Sequence, residues 1–145
     1  MEKGLSGSNE SEVGRVTPQN EFLDLICDTV EENCSLDTGI SLDELPPEGG
    51  LYAELGQGFG DGPGYDKGAS VRTMPVLFLC RHIEQKRCTE QLCSICNYLQ
   101  TLKVYPQGTS VRWLNAVTAK EPSKIGRDED GKYYGSCIIN CLIYF

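Results

Sequence analysis

The sequence predicts an α+β domain of order αββαββ, with a mainly antiparallel four-stranded sheet and two helices packed on one face. Three observations lead there. Two stretches repeat apolar residues at three- and four-residue steps, four others alternate or run continuously apolar over strand lengths, and clusters of Gly and Pro separate them.

The first helix starts at Thr17, a capping residue, followed by Pro18, which suits the first helical position. Phe22, Leu25 or Ile26, and Val30 then recur on one face, so the helix is expected to run to about Asn33. Leu51-Tyr-Ala-Glu-Leu55 alternates like a half-buried strand, and Pro46-Pro47 and Gly49-Gly50 punctuate its approach. From Gly56 to Gly68 the glycine content opposes regular structure and predicts a long mobile loop. Its Gly56-Gln-Gly58-Phe-Gly60 has neither the dinucleotide spacing nor the Walker spacing, and no Lys-Ser or Lys-Thr follows.

Val71 to Cys80 reads as the second strand, with Val76-Leu-Phe-Leu79 buried and Pro75 implying an edge position or a bulge. In the second helix Cys88, Leu92, Ile95 or Cys96, Leu99 and Leu102 form the core-facing stripe, with Glu90, Gln91, Asn97 and Gln100 on other faces. After the Pro106-Gln-Gly108 turn, Val111, Trp113 and Val117 share one face of a third strand, and Tyr133 to Phe145 supplies a largely buried fourth. Between these strands, Lys120 to Lys132 reads as a projecting hairpin arm with the acidic run Asp128-Glu-Asp130, closed by Asp130-Gly131.

A chain of 145 residues is the length of one domain. We divide it into a flexible arm at residues 1–16, too polar to offset the entropy of ordering, and a single domain at residues 17–145. No apolar stretch approaches the roughly 20 residues that span a bilayer, and residues 1–14 lack the apolar core of a secretory signal. A soluble cytoplasmic chain without membrane contact is expected. Its eight cysteines therefore read as reduced, small buried hydrophobes. The net charge of −8 opposes specific nucleic-acid binding, which needs clustered Lys and Arg.

Catalytic and metal-binding readings each meet a plainer rival. Cys88, Cys93, Cys96 and His82 have the chemistry of zinc ligands, yet the cysteines fall in a helical stripe and no second closely spaced pair completes a site. The same Cys93-Ser-Ile-Cys96 sits mid-helix, away from the helix start that activates a redox thiol. A Ser-His or Cys-His nucleophile would depend on His82, the single histidine. Asp128, Glu129 and Asp130 are consecutive and lack the alternation of a calcium loop. We expect no catalytic residues, metal or cofactor.

The run Phe22 to Asn33, the strand Leu51-Tyr-Ala-Glu-Leu-Gly56 and the segment Ile125-Gly-Arg-Asp-Glu-Asp-Gly-Lys132 before a tyrosine-rich closing strand resemble the tail-terminator or minor capsid proteins of tailed bacteriophages. The resemblance spans about residues 20–145, and the arm at 1–16 and the cysteine content depart from it. It implies a structural virion protein without enzymatic activity: a hexameric ring at the head-proximal end of the tail, assembled in the host cytoplasm. The implied partners are copies of itself, the tail tube protein and the head–tail connector or head completion protein, with DNA only passing through the channel. The acidic balance suits such a conduit, and equally suits plain solubility. The interface is expected at Pro122, Lys124, Ile125, Arg127, Asp128, Glu129, Asp130 and Lys132, and at Phe59, Asp61 and Tyr65 on the mobile loop. Two other classes stand against this reading: a small zinc or redox domain using Cys88, Cys93 and Cys96, and a monomeric adaptor taking a peptide along a sheet edge.

Overall fold

The computed structural model describes residues 17–60 and 70–145, so the arm at 1–16 and the loop positions Asp61 and Tyr65 lie outside the described residues. Helix α1 is Pro18–Asn33. Thr17 caps it, its hydroxyl accepting from the Asn20 N–H at 3.2 Å, and Phe22, Ile26, Thr29 and Val30 are buried. Thr29 is tolerated in the core because its hydroxyl donates to the Leu25 carbonyl at 2.7 Å.

Five strands follow, not four: β1 Ile40–Ser41, β2 Gly50–Leu55, β3 Val71–His82, β4 Arg112–Arg127 and β5 Tyr133–Tyr144, with helix α2, Gln85–Thr101, between β3 and β4. They form one sheet in the order β1-β2-β3-β5-β4. The β1–β2 ladder is parallel and the other three are antiparallel, so the sheet is mixed. Strand β1 escapes sequence reading because two residues carry no periodicity. It is held by pairing of Ile40 with Leu51 and Ser41 with Tyr52, and by the Glu31 carboxylate, which accepts the Ile40 N–H at 2.6 Å.

One face of the sheet carries Leu51 and Ala53 of β2, Met74, Val76, Phe78 and Cys80 of β3, Cys137, Ile139, Cys141 and Ile143 of β5, and Trp113 and Ala116 of β4. These close the core with Phe22, Ile26 and Val30 of α1 and Cys88, Leu92, Ile95, Cys96 and Leu99 of α2. Gln91 does not lie on an outer face as its polarity suggested. It is buried because its side chain bridges layers, accepting from the Asp37 N–H at 2.9 Å and donating toward the Cys80 sulfur and the Arg87 carbonyl.

Pro75 sits in a central strand and not at an edge, but the expected bulge is present. Leu55 pairs with Val76 and Phe59 with Thr73, which puts one extra residue in the Gly56–Phe59 chain where the missing Pro75 N–H would point. A second bulge, between Trp113 and Asn115, turns Val117 out of the face that Trp113 occupies, and Ala116 takes the inward position. The projecting arm also needs correction. Strand β4 stays paired with β5 through Arg127↔Tyr133, so residues 120–127 extend the sheet and only Asp128–Lys132 form a turn. Gly131, at φ 84°, closes that turn.

Candidate functional site

The predicted interface residues divide into three environments. At the hairpin end, Asp128 is an internal clamp. It pairs with Arg81 of β3, accepts the Tyr134 hydroxyl at 3.2 Å and the Lys132 N–H at 2.9 Å, and its own N–H donates to the Lys132 carbonyl. Asp130 reaches the same guanidinium at 3.8 Å while its side chain stays 73% exposed, and Arg81 lies over the Tyr134 ring at 5.3 Å. Glu129 remains in solvent.

Along the β4 ribbon, Lys124 and Arg127 each approach the Tyr133 ring at 5.4 Å, and the Arg127 Nε also donates to the Gly131 carbonyl. Pro122 is half-buried at the register shift between Lys120 and Ser123, and Ile125 is 58% exposed. Among the described residues Lys124, Arg127 and Lys132 have no carboxylate within ion-pair distance.

Phe59 is not beside this ribbon. It bridges Thr73, nine residues along β3 from His82, the residue opposite the hairpin end, and so about 30 Å away. There it lines a shallow groove of about 320 Å³ with Thr73, Asn115, Val117, Asn140 and Leu142. The groove belongs to the sheet face away from the helices. Phe59 is 56% and Val117 53% exposed on that face, and Leu77, Leu79, Ile138 and Leu142 are half-buried. Among the described residues no helix covers it. The apolar runs Val76–Leu79 and Tyr133–Phe145 predict burial on both faces, but Leu77, Leu79, Ile138 and Leu142 point to the outer face, because whether a second layer covers a strand depends on the rest of the chain.

The β4 edge is closed over its first half and open over its second. Gln107 donates to the Trp113 carbonyl and accepts its N–H, the Trp113 indole donates to the Asn115 carbonyl, and Gln100 accepts the Thr118 N–H. Among the described residues these side-chain seals end at Thr118. The exposed remainder to Arg127 bears Lys120, Pro122 and Lys124, residues that blunt an edge against indiscriminate pairing.

Charge is divided between the two edges. Every charged side chain between residues 17 and 60 is Asp or Glu, whereas residues 70–145 carry more Lys and Arg than Asp and Glu. The signal was present in the sequence, but the fold gives it meaning. Glu31 stands against β1 at one edge, with Asp28 and Glu32 exposed on the same stretch of α1 and Asp43 and Glu44 exposed just after β1, and Lys120, Lys124 and Arg127 are exposed along β4 at the other, with Glu121 the single acid of that strand.

The prospective zinc ligands do not converge. The Cys88 thiol donates to the Cys80 carbonyl at 3.3 Å, Cys96 lies against Cys137, and His82 is engaged elsewhere. Among the described residues no three His, Cys, Asp or Glu side chains are placed to hold a metal ion. Contact with Cys88 and burial push the Cys80 thiol up, contact with Cys96 and burial do the same for Cys137, and burial raises Cys27 to about 12, so these sulfurs stay protonated. The Cys93–Cys96 pair is in mid-helix, as expected, without the helix start that would generate a thiolate. His82 is a structural tie. Its Nδ1 accepts the Glu84 N–H at 2.9 Å, which places the proton on Nε2, 3.2 Å from Asp37, and leaves neither nitrogen for a nucleophile.

Asp37 and Asp128 both make stability depend on pH in acid. Hydrogen bonds from Arg87 hold the Asp37 carboxyl below its ordinary value. At Asp128 desolvation acts upward, but the Lys132 N–H, Arg81 and Tyr134 outweigh it and the net shift is downward. A depressed carboxyl pKa contributes stability above its unfolded value near 4, lost as pH falls through the lower folded value. Melting temperature measured from pH 6 to pH 2 is therefore expected to fall more steeply for the natural chain than for Asp37→Asn/Asp128→Asn. Equal slopes would show that these clamps do not couple to folding.

No helix among the described residues is long and apolar enough to cross a membrane. Comparison with known proteins finds no family model and no curated sequence that matches this chain.

Proposed function

We propose that this chain is a structural subunit that closes into a ring with copies of itself, in the role of a tail terminator or minor capsid protein of a tailed bacteriophage. The ring has six subunits and sits in the virion where the tail tube ends. It contacts the tail tube protein and the head–tail connector, and DNA passes through it without specific binding. The role is structural and not enzymatic.

The observation that supports assembly is the apolar sheet face that no helix among the described residues covers, where Phe59 and Val117 stand exposed beside half-buried Leu77, Leu79, Ile138 and Leu142. Contiguous exposed apolar surface of this kind is characteristic of protein interfaces. Native mass measurement and electron microscopy of the purified full chain test the reading: a particle of six 16.0 kDa chains with a central opening is expected, and the chain should be found in purified virions. A single-chain mass at every concentration would overturn it. That result would favour a monomeric adaptor instead, a reading supported by the open second half of the β4 edge, which can accept an extended peptide.

A further inference from the structure

We infer that copies of this chain meet head to tail, the basic open stretch of β4 on one copy docking on the acidic flank of β1 and α1 on the next. The inference rests on the ring reading and names its lateral contact.

Charge complementarity carries it. The two surfaces lie at opposite edges of one sheet, β4 and β1, and among the described residues neither is neutralised by ion pairs of its own. Of the carboxylates between residues 17 and 60, only Asp37 has a cationic partner among the described residues, in Arg87. Glu31 is occupied by the Ile40 N–H, a dipole and not a charge. On the other edge Lys124 and Arg127 lean on an aromatic ring, while the carboxylates of Asp128 and Asp130 turn toward Arg81 of β3, away from the β4 edge. Complementary patches of opposite sign guide association and fix register.

The same charges oppose the symmetrical alternative. If two copies paired their β4 edges antiparallel about Ser123 and Lys124, Lys120 of each would face Arg127 of the other, and like charges directly opposite are destabilising. A parallel pairing sets each lysine against itself. A contact between different patches, repeated around a closing rotation, generates a ring. The seals on the first half of β4 then confine the contact to residues 119–127.

Charge reversal on the full chain provides the test. Lys124→Glu/Arg127→Glu and Asp28→Lys/Glu32→Lys alter exposed side chains, and circular dichroism with thermal melting checks that each variant folds. Each variant alone is expected to lose assembly, its apparent dissociation constant rising about tenfold or more. An equimolar mixture of the two is expected to reassemble, because every junction then again joins opposite charges. Assembly of the natural chain should weaken as salt rises from 0.05 to 0.5 M. Variants that assemble as the natural chain does would place the contact elsewhere and leave the ring reading standing. Failure of the mixture to reassemble would overturn the head-to-tail pairing. A natural chain that stays monomeric would overturn the ring reading and this contact together. If Lys124→Glu/Arg127→Glu abolishes retention on duplex DNA while assembly is unchanged, the basic edge serves a polyanion and the inference is wrong.

Discussion

Trp113→Ala is expected to lower the melting temperature by about 6–20 °C. The side chain is 1% exposed, packs edge-on against Phe22 at 5.2 Å and tilted against Tyr105 at 4.9 Å, and so joins α1, the α2–β4 connection and the sheet at one point. Truncating a fully buried Trp costs about 3–5 kcal/mol, and in a chain of this length each kcal/mol shifts the midpoint by about 2–4 °C. The substitution also removes the indole N–H that seals the Asn115 carbonyl at the β4 edge. Since domains are stable by only about 5–15 kcal/mol, much of the margin disappears. Thermal melting followed by circular dichroism measures the effect. A shift under about 3 °C would mean that neighbouring side chains refill the site and that the aromatic cluster is not a keystone.

Gly135→Val is expected to destabilise comparably, for the opposite physical reason. Gly135 is buried where α2 crosses β5, and a Cβ there would lie 3.1 Å from a Leu92 methyl and 3.2 Å from both the Cys88 sulfur and the Ser123 carbonyl. Two of those neighbours are side chains that can yield a little, but the third is backbone of the adjacent strand. Overpacking of this kind costs about 1–3 kcal/mol, and a branched side chain belongs at the upper end. Because the displaced atoms include Cys88, the double variant Gly135→Val/Cys88→Ala should recover part of the loss, a coupling that denaturant titration of the four proteins in the cycle would measure. Strict additivity would show that helix α2 is not what the new side chain meets.

Much of the architecture was legible in local pattern. The Thr17 cap with Pro18 and the spacing of Phe22, Ile26 and Val30 located α1 through Asn33, and the Cys88-to-Leu99 stripe located the core face of α2. The strand face was equally readable in Leu51 to Leu55, because a period of two or 3.6 is written in consecutive residues, whereas the continuous apolar run Val76 to Leu79 carries no such mark and its Leu77 and Leu79 turned outward. The misses had nonlocal causes. Val117 changed face because a bulge at Trp113/Asn115 shifts the register, and Gln91 went inside because Asp37, far away in the chain, supplies its partner. The predicted site was legible only in part. Its residue types are local, but that Asp128 is tied to Arg81 and Tyr134 and that Phe59 pairs with Thr73 at the far end of β3 follow only from strand pairing.

The sequence by itself determined the α+β class, the position of both helices, the alternating faces of β2, and the placement of Cys93 and Cys96 in mid-helix. Each follows from interactions within one turn or one strand. Tertiary structure alone decided that β1 exists, that β3 is central between β2 and β5, and that acidic and basic residues end on opposite edges of one sheet. The absence of Lys and Arg between residues 16 and 66 is plain in the chain, but a charge run becomes a surface only when strand order places it. That order depends on which strands find hydrogen-bonding partners across long sequence separations, and no periodicity records it.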